Sequence, residues 1–209
     1  MLSFGHCEPR RLTLYALFAL VAGLLPFSSP HDDLPSSDRI QSGDIVFIRG
    51  KSIRSAVVRL LEGGNSDYSH VGIIVLENGT FFIVHASPAP DATGDRVIKE
   101  PWDAIISPSR IAAAAVFRLT DPSKASRLGL QAAKVAQQFE RDALPFDHDF
   151  DLMTRRKLYC TELVWRAYLA TGIDLRGSSF GSSRRYLLPL DLIKSGLLRD
   201  IRERPRHRL

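Results

Sequence analysis

The sequence predicts an α+β fold in which an antiparallel β-sheet or barrel packs against a helix carrying a cysteine. Three observations lead there. Several short apolar runs of strand composition follow one another almost consecutively. Two of them are joined by Glu77-Asn78-Gly79, and Asn-Gly between apolar strands is the strongest short hairpin signal. Helical stripes sit at either end of the strand run rather than alternating with it, which favours antiparallel pairing over βαβ units.

The elements follow in chain order. Gly43-Asp44 leads into Ile45-Val46-Phe47-Ile48, a first strand. Ser52 to Leu61 places Ile53, Val57, Leu60 and Leu61 on one helical face, and Gly63-Gly64 stops it. Ser69 to Leu76 and Thr80 to Ala86 form the hairpin, and Pro88 to Gly94 is a loop. Asp95 to Glu100 and Ala112 to Leu119 are two more strands, with a helical turn over Trp102 to Ile106 between them. Asp121-Pro122 starts a helix whose stripe is Leu128, Ala132, Val135, Ala136 and Phe139. Leu144 to Phe150 is a loop feeding a helix in which Leu163, Val164, Ala167 and Tyr168 recur at helical spacing. Tyr186 to Leu198 closes the core.

The 209 residues, 44% hydrophobic and 24% charged, suffice for one domain with its own core. The net charge of +5 is mild, and much of the excess sits near the C-terminus. With no zinc-finger spacing, Walker loop or aromatic-basic RNA motif, nucleic acid is not an expected partner. Arg10-Arg11, then the apolar run Leu12 to Phe27, then His31-Asp32-Asp33 read as an export segment, either cleaved or kept as an anchor. The expected organisation is a signal peptide or N-terminal membrane anchor over 1–33, a linker over 34–39, a folded domain over 40–200 and a basic tail over 201–209. The domain would then be periplasmic, or anchored in the inner membrane through residues 12–27 and facing the periplasm. Of two cysteines, Cys7 precedes the apolar run, so export leaves Cys160 without an intramolecular disulfide partner.

Chemistry concentrates on Cys160, His70 and His85. A two-residue Asn78-Gly79 turn pairs Glu77 with Thr80 and, further down, Gly72 with His85. His70 and His85 then project from one face as diagonal neighbours, roughly 7 Å apart at the backbone. Gly72, opposite His85, leaves room for a ring. Cys160 opens its helix, where the dipole favours a thiolate, and an imidazolium at His70 would favour it further. His85 would orient His70, and N–H groups of the helix start would meet an oxyanion. Tyr159 either donates to that oxyanion or contacts substrate, or simply packs. Glu162 points away from the thiol and is structural, and His148 belongs to a solvated loop. The bland alternatives are an inert buried cysteine and structural histidines. A further one is a zinc site on the same trio with water as fourth ligand, although no two ligands have a typical short spacing.

Gly43-Asp44-Ile45-Val46-Phe47, Ser69-His70-Val71-Gly72-Ile73 and Tyr159-Cys160-Thr161-Glu162-Leu163-Val164 together resemble the permuted NlpC-type papain-like cysteine hydrolases. The resemblance is to the YiiX-like group, itself related to the lecithin:retinol acyltransferase-like proteins, and spans about Ile40 to Ile193. It implies a circularly permuted papain-like fold in which histidine precedes cysteine, with Cys160 as nucleophile, His70 as base and His85 as the third polar member. It implies a metal-independent thiol hydrolase without cofactor that cleaves an amide, ester or thioester through an acyl-enzyme. Lipid-acyl and cell-wall peptide substrates both suit that chemistry. The alternatives are acyl transfer on the same machinery and a non-catalytic, membrane-tethered binding domain. Phe81, Phe82 and Trp165 would suit a lipid chain or the core equally.

Overall fold

The structure is a computed structural model describing residues 34–51, 67–88, 95–178, 180–181 and 184–202. The export segment, Cys7, the helix expected over Ser52 to Leu61, most of the loop after Pro88 and the tail beyond Arg202 lie outside the described residues.

Six strands form one antiparallel sheet. They are β1 (Ile45–Gly50), β2 (His70–Glu77), β3 (Thr80–Ser87), β4 (Arg96–Pro101), β5 (Ile111–Leu119) and β6 (Leu198–Asp200), in the spatial order β4-β3-β2-β1-β5-β6. A short α1 (Trp102–Ile105) turns β4 towards β5. The longer α2 (Pro122–Arg141) and α3 (Cys160–Leu169) follow, then α4 (Pro189–Lys194). Asp121 caps α2 by accepting from the Ser123 N–H, with Pro122 at the first helical position, where its missing N–H costs nothing.

Side-chain alternation divides the core in two. Ile45, Phe47, Val71, Ile73 and Val84 face α2 and α3, where Ala132, Ala136, Leu163 and Val164 meet them. Val46, Ile48, Ile74 and Ile83 face the other way, the inner face, and form an inner cluster with Ile105, Ile106, Ile111 and Ile201. Leu163 and Val164 have no exposed surface, and burial of such side chains stabilises by about 1.5–3 kcal/mol each.

Gly43 and Asp44 hold this arrangement together. At Gly43 φ is +93°, and a Cβ there would lie 2.1 Å from the Gly129 carbonyl carbon in α2, so only glycine fits. Tyr168 of α3 donates its hydroxyl to the Gly43 carbonyl. Asp44 is buried and accepts from Arg118 at 2.6 and 2.7 Å and from the Gln41 N–H at 2.9 Å. Burial still pushes its carboxyl above the usual range, with Arg118 opposing. The Gly-Asp pair of the sequence motif is therefore a joint between sheet and helices.

Residues flanking the strands also pack on the sheet. Residues Ser37–Arg39 form a 3-10 turn, Leu34 packs on the inner cluster, and Arg118 donates to the Arg39 carbonyl at 2.6 Å. Ile201 is buried as well, so the chain leaves the core later than 200. Among the described residues, no helix is long and apolar enough to cross a membrane.

Candidate active site

Asn78 and Gly79 both take positive φ, +49° and +81°, as a type I′ hairpin turn requires. The ladder then runs Glu77↔Thr80, Leu76↔Phe81, Val75↔Phe82, Ile74↔Ile83 and Ile73↔Val84, and one more step sets Gly72 opposite His85. This is the register the turn dictates. His70 Nε2 and His85 Nδ1 are 3.0 Å apart, with the rings edge to face at 5.0 Å between centroids. A Cβ on Gly72 would stand 3.2 Å from the His85 Cβ and 2.6 Å from Ile83 Cγ2, so its absence makes the room the rings occupy.

The histidines do not face α3 across the sheet. His70 pairs with Ile48 and Gly72 with Val46, so both histidines project from the inner face, opposite to the one α3 covers. Cys160 packs against the helix-side cluster, and its level along the sheet follows from the neighbours of its helix. Tyr168, near the close of α3, bonds Gly43, whose N–H donates to Ile74 in the middle of β2. At the other end, Leu158 donates to Pro145, Phe146 donates to Asp95, and Arg96 pairs with Ser87 beyond His85. Eight helical residues rise about 12 Å. Four strand residues span about 13 Å. The helix therefore runs from the His70 end of β2 to the Ile74 end, and Cys160 and His70 each open their element at the same end.

Burial, then the neighbouring His85, push the His70 imidazole down to about 3, although it keeps some exposure. With no thiolate beside it the ring is therefore neutral and able to accept a proton. With Nε2 held by His85, the lone nitrogen left to receive a proton is Nδ1.

His85 is buried, and its Nε2 lies 2.9 Å from Glu100 Oε2. Glu100 in turn receives Arg110 at 3.3 Å. The hydrogen bond from His85 holds the Glu100 carboxyl down at about 2, with Arg110 helping. Glu100 is absent from the sequence expectations, although the register contains it. His85 pairs with Ile98, so Glu100 is its diagonal neighbour on β4, as His70 is on β2.

Both neighbours of Cys160 are structural. Tyr159 is 2% exposed and its hydroxyl accepts the Leu187 N–H at 2.7 Å, while the Thr161 hydroxyl donates to the Leu187 carbonyl at 2.5 Å. Together they clamp Leu187, in the chain entering α4, by both its N–H and its carbonyl. Of the two roles open to Tyr159, packing is the one its position supports, and its hydroxyl is directed inward rather than towards an approaching substrate. Burial raises that hydroxyl's pKa further. Tyr159 lends α3 no side-chain cap, so the helix start relies on other partners for its N–H groups.

The loop before Cys160 is tied down. Asp147, fully buried, accepts from the Asp149 and Asp151 N–H groups and the Thr154 hydroxyl at 3.0 to 3.1 Å. Glu162 is buried and paired with Arg166 at 2.7 Å, and Arg166 also donates to Leu152 and Thr154. Burial raises the Glu162 carboxyl to about 7. His148 is exposed and lies 2.8 Å from Asp95. Trp165 is core, bonded to Asp174, and Phe81 packs on the inner cluster. Asp149, Phe150, Asp151, Arg185 and Tyr186 line a cleft of about 370 Å³. The exposed Phe150, at the unusual φ of +52°, stacks edge-on against Tyr159 at 5.2 Å.

A zinc ion on the Cys160, His70 and His85 trio would have to displace existing contacts. His85 turns one nitrogen to His70 and the other to Glu100, so it has no lone pair for an ion. Among the described residues, no group of three or more His, Cys, Asp or Glu side chains is arranged to hold one.

Comparison with known proteins agrees with the fold. The structure is similar to that of the metalloprotein YiiX from Escherichia coli O157:H7, with a TM-score of 0.61 and 21% identity over 78% of this chain and 96% of that one. No curated protein matches the sequence. A family model described as permuted papain-like amidase enzyme, YaeF/YiiX, C92 family, matches residues 39–183. That span includes every strand from β1 to β5, both histidines and the cysteine helix, and the chain belongs to this permuted papain-like amidase family.

Proposed function

We propose that the protein is a thiol-dependent, metal-independent hydrolase that cleaves an amide through an acyl-enzyme on Cys160. The observation that carries this reading is the 3.0 Å contact between His70 and His85, which holds a neutral base at the sheet end where α3 begins. His70 Nδ1 takes the thiol proton, and Sγ attacks the carbonyl carbon. The oxyanion forms beside the first turn of α3, where backbone N–H groups and the helix dipole favour negative charge. The imidazolium returns its proton to the leaving amine, and the acyl-enzyme results. Water, deprotonated by the same ring, then attacks the acyl carbon and releases the acid. Esters and thioesters enter by the same route, and an amine or alcohol in place of water turns hydrolysis into transfer.

The cleft is lined by Phe150 and Tyr186 together with Asp149, Asp151 and Arg185, the last two ion-paired, and suits an acyl group with an apolar portion. Lipid-acyl and cell-wall peptide substrates both fit that class. Export, with cleavage or anchoring near residues 12–27, is part of the proposal and rests on the sequence alone.

The test is the pH dependence of Cys160 alkylation by iodoacetamide. Reaction below the ordinary thiol range, abolished in His70→Ala, is expected. An ordinary thiol titration unaltered in that variant would leave a silent binding domain as the better account. Stoichiometric zinc in the purified protein would overturn the nucleophile assignment.

A further inference from the structure

Glu100 lies outside the Cys160–His70–His85 set, yet it is the only carboxylate bonded to either histidine among the described residues. We propose that Glu100, held by Arg110, is a positioning residue that fixes the protonation pattern of both rings and stabilises the charge His70 acquires. This rests on the reading of Cys160 and His70 given above.

The argument follows hydrogen-bond roles along the chain. An ionised carboxylate only accepts, so the Glu100 Oε2 contact at 2.9 Å requires the proton on His85 Nε2. In a neutral His85 ring Nδ1 is then the acceptor, and the 3.0 Å contact places the proton on His70 Nε2. His70 Nδ1 is thereby left unprotonated, the one arrangement in which this ring can receive a thiol proton. Without Glu100, the His85 tautomer is free to invert. His70 would then accept at Nε2 and carry its proton on Nδ1, where it cannot act as a base.

The second effect is electrostatic. Two bonds and one ring width separate the Glu100 carboxylate from the His70 ring by roughly 7–8 Å, where a charge pair at an effective dielectric of about 20 changes an equilibrium roughly thirty- to sixtyfold, less the share that Arg110 cancels. The charged and titratable groups facing His70 are His85, Glu100 and Arg110, and Arg110 opposes the carboxylate. Arg110 also donates to the Ala104 carbonyl at 2.9 Å, which anchors it beside α1 and keeps Glu100 pointed at His85. The carboxylate has a fixed direction, a buried partner and a clear electrostatic consequence.

The experiment uses the full chain and iodoacetamide, comparing wild type, His70→Ala, Glu100→Gln and Glu100→Asp from pH 5 to 10. Glu100→Gln should lower alkylation near pH 6–7 by roughly ten- to thirtyfold at an unchanged plateau above pH 9. Glu100→Asp should restore part of it, and Glu100→Gln should add nothing in a His70→Ala background. Imidazole 15N NMR of the wild type should show both rings protonated at Nε2. A wild-type profile in Glu100→Gln would overturn the role of Glu100 while leaving Cys160 and His70 in place. No effect of His70→Ala would overturn both. A wild-type His85 protonated at Nδ1 would overturn it even if Glu100→Gln failed to fold.

Discussion

Replacing Gly72 by alanine tests the hairpin at its tightest point. The added Cβ would lie 2.6 Å from Ile83 Cγ2, 3.0 Å from the Val84 carbonyl oxygen and 3.2 Å from the His85 Cβ. Ile83 has no exposed surface and packs in the inner cluster, so its methyl has nowhere to swing. The Val84 oxygen belongs to a strand paired on both sides and yields only tenths of an ångström. Overpacking of this kind costs about 1–3 kcal/mol. For a chain of this size each kcal/mol lowers Tm by roughly 2–4 °C, so a fall of roughly 3–10 °C is expected by calorimetry. Displacement of His85 should also lengthen its contact with His70 and suppress Cys160 alkylation at neutral pH. Gly79→Ala is the control. Its φ is +81° but nothing lies within 4 Å, so it should cost about 1–2 kcal/mol and leave alkylation intact. If Gly72→Ala melts and alkylates like wild type, the close approach of β2 to His85 is wrong and the site geometry falls with it.

Two further expectations follow from the helix around Cys160. Tyr159→Phe removes the acceptor of the Leu187 N–H and should cost about 1–3 kcal/mol in denaturant titration, with the pH profile of alkylation unmoved; a shifted profile would instead give the hydroxyl a chemical role. Glu162 carries a carboxyl raised from 4.5 to about 7, so the folded state binds its proton more tightly than the unfolded chain. Stability from this group is present below pH 4.5 and is lost as pH rises towards 7, by at most about 3 kcal/mol. His70 acts in the opposite sense, its stability being present above 6.5 and lost as pH falls towards 3. Relative to Glu162→Gln, wild type should therefore lose stability between pH 5 and 8 in urea melts; parallel curves would show that burial does not perturb the carboxyl.

The hairpin was legible because one turn fixes it. Asn78-Gly79 has a strong conformational preference, and alternation then places Gly72, His70 and His85 without tertiary information. Glu100 was not legible in the same way. Its position depends on the register of β4 against β3, and no tight turn sets it, because residues 88–95 separate the two strands in sequence. The inner-face projection of the histidines was hidden as well, since a strand pattern apolar on both faces does not say which face a helix covers. Tyr159 shows a third limit. An aromatic hydroxyl beside a cysteine has the same appearance in sequence whether it meets a substrate or a backbone N–H 28 residues away.

The most direct measurement is intact-mass spectrometry after brief exposure to an activated acyl thioester. Wild type should gain one acyl mass, mapped to Cys160 and lost on standing as the acyl-enzyme hydrolyses. Cys160→Ala should gain none, and His70→Ala should acylate slowly if at all. Acylation of wild type and Cys160→Ala to the same extent, or none in wild type under conditions where its thiol is titratable, would contradict the nucleophile assignment.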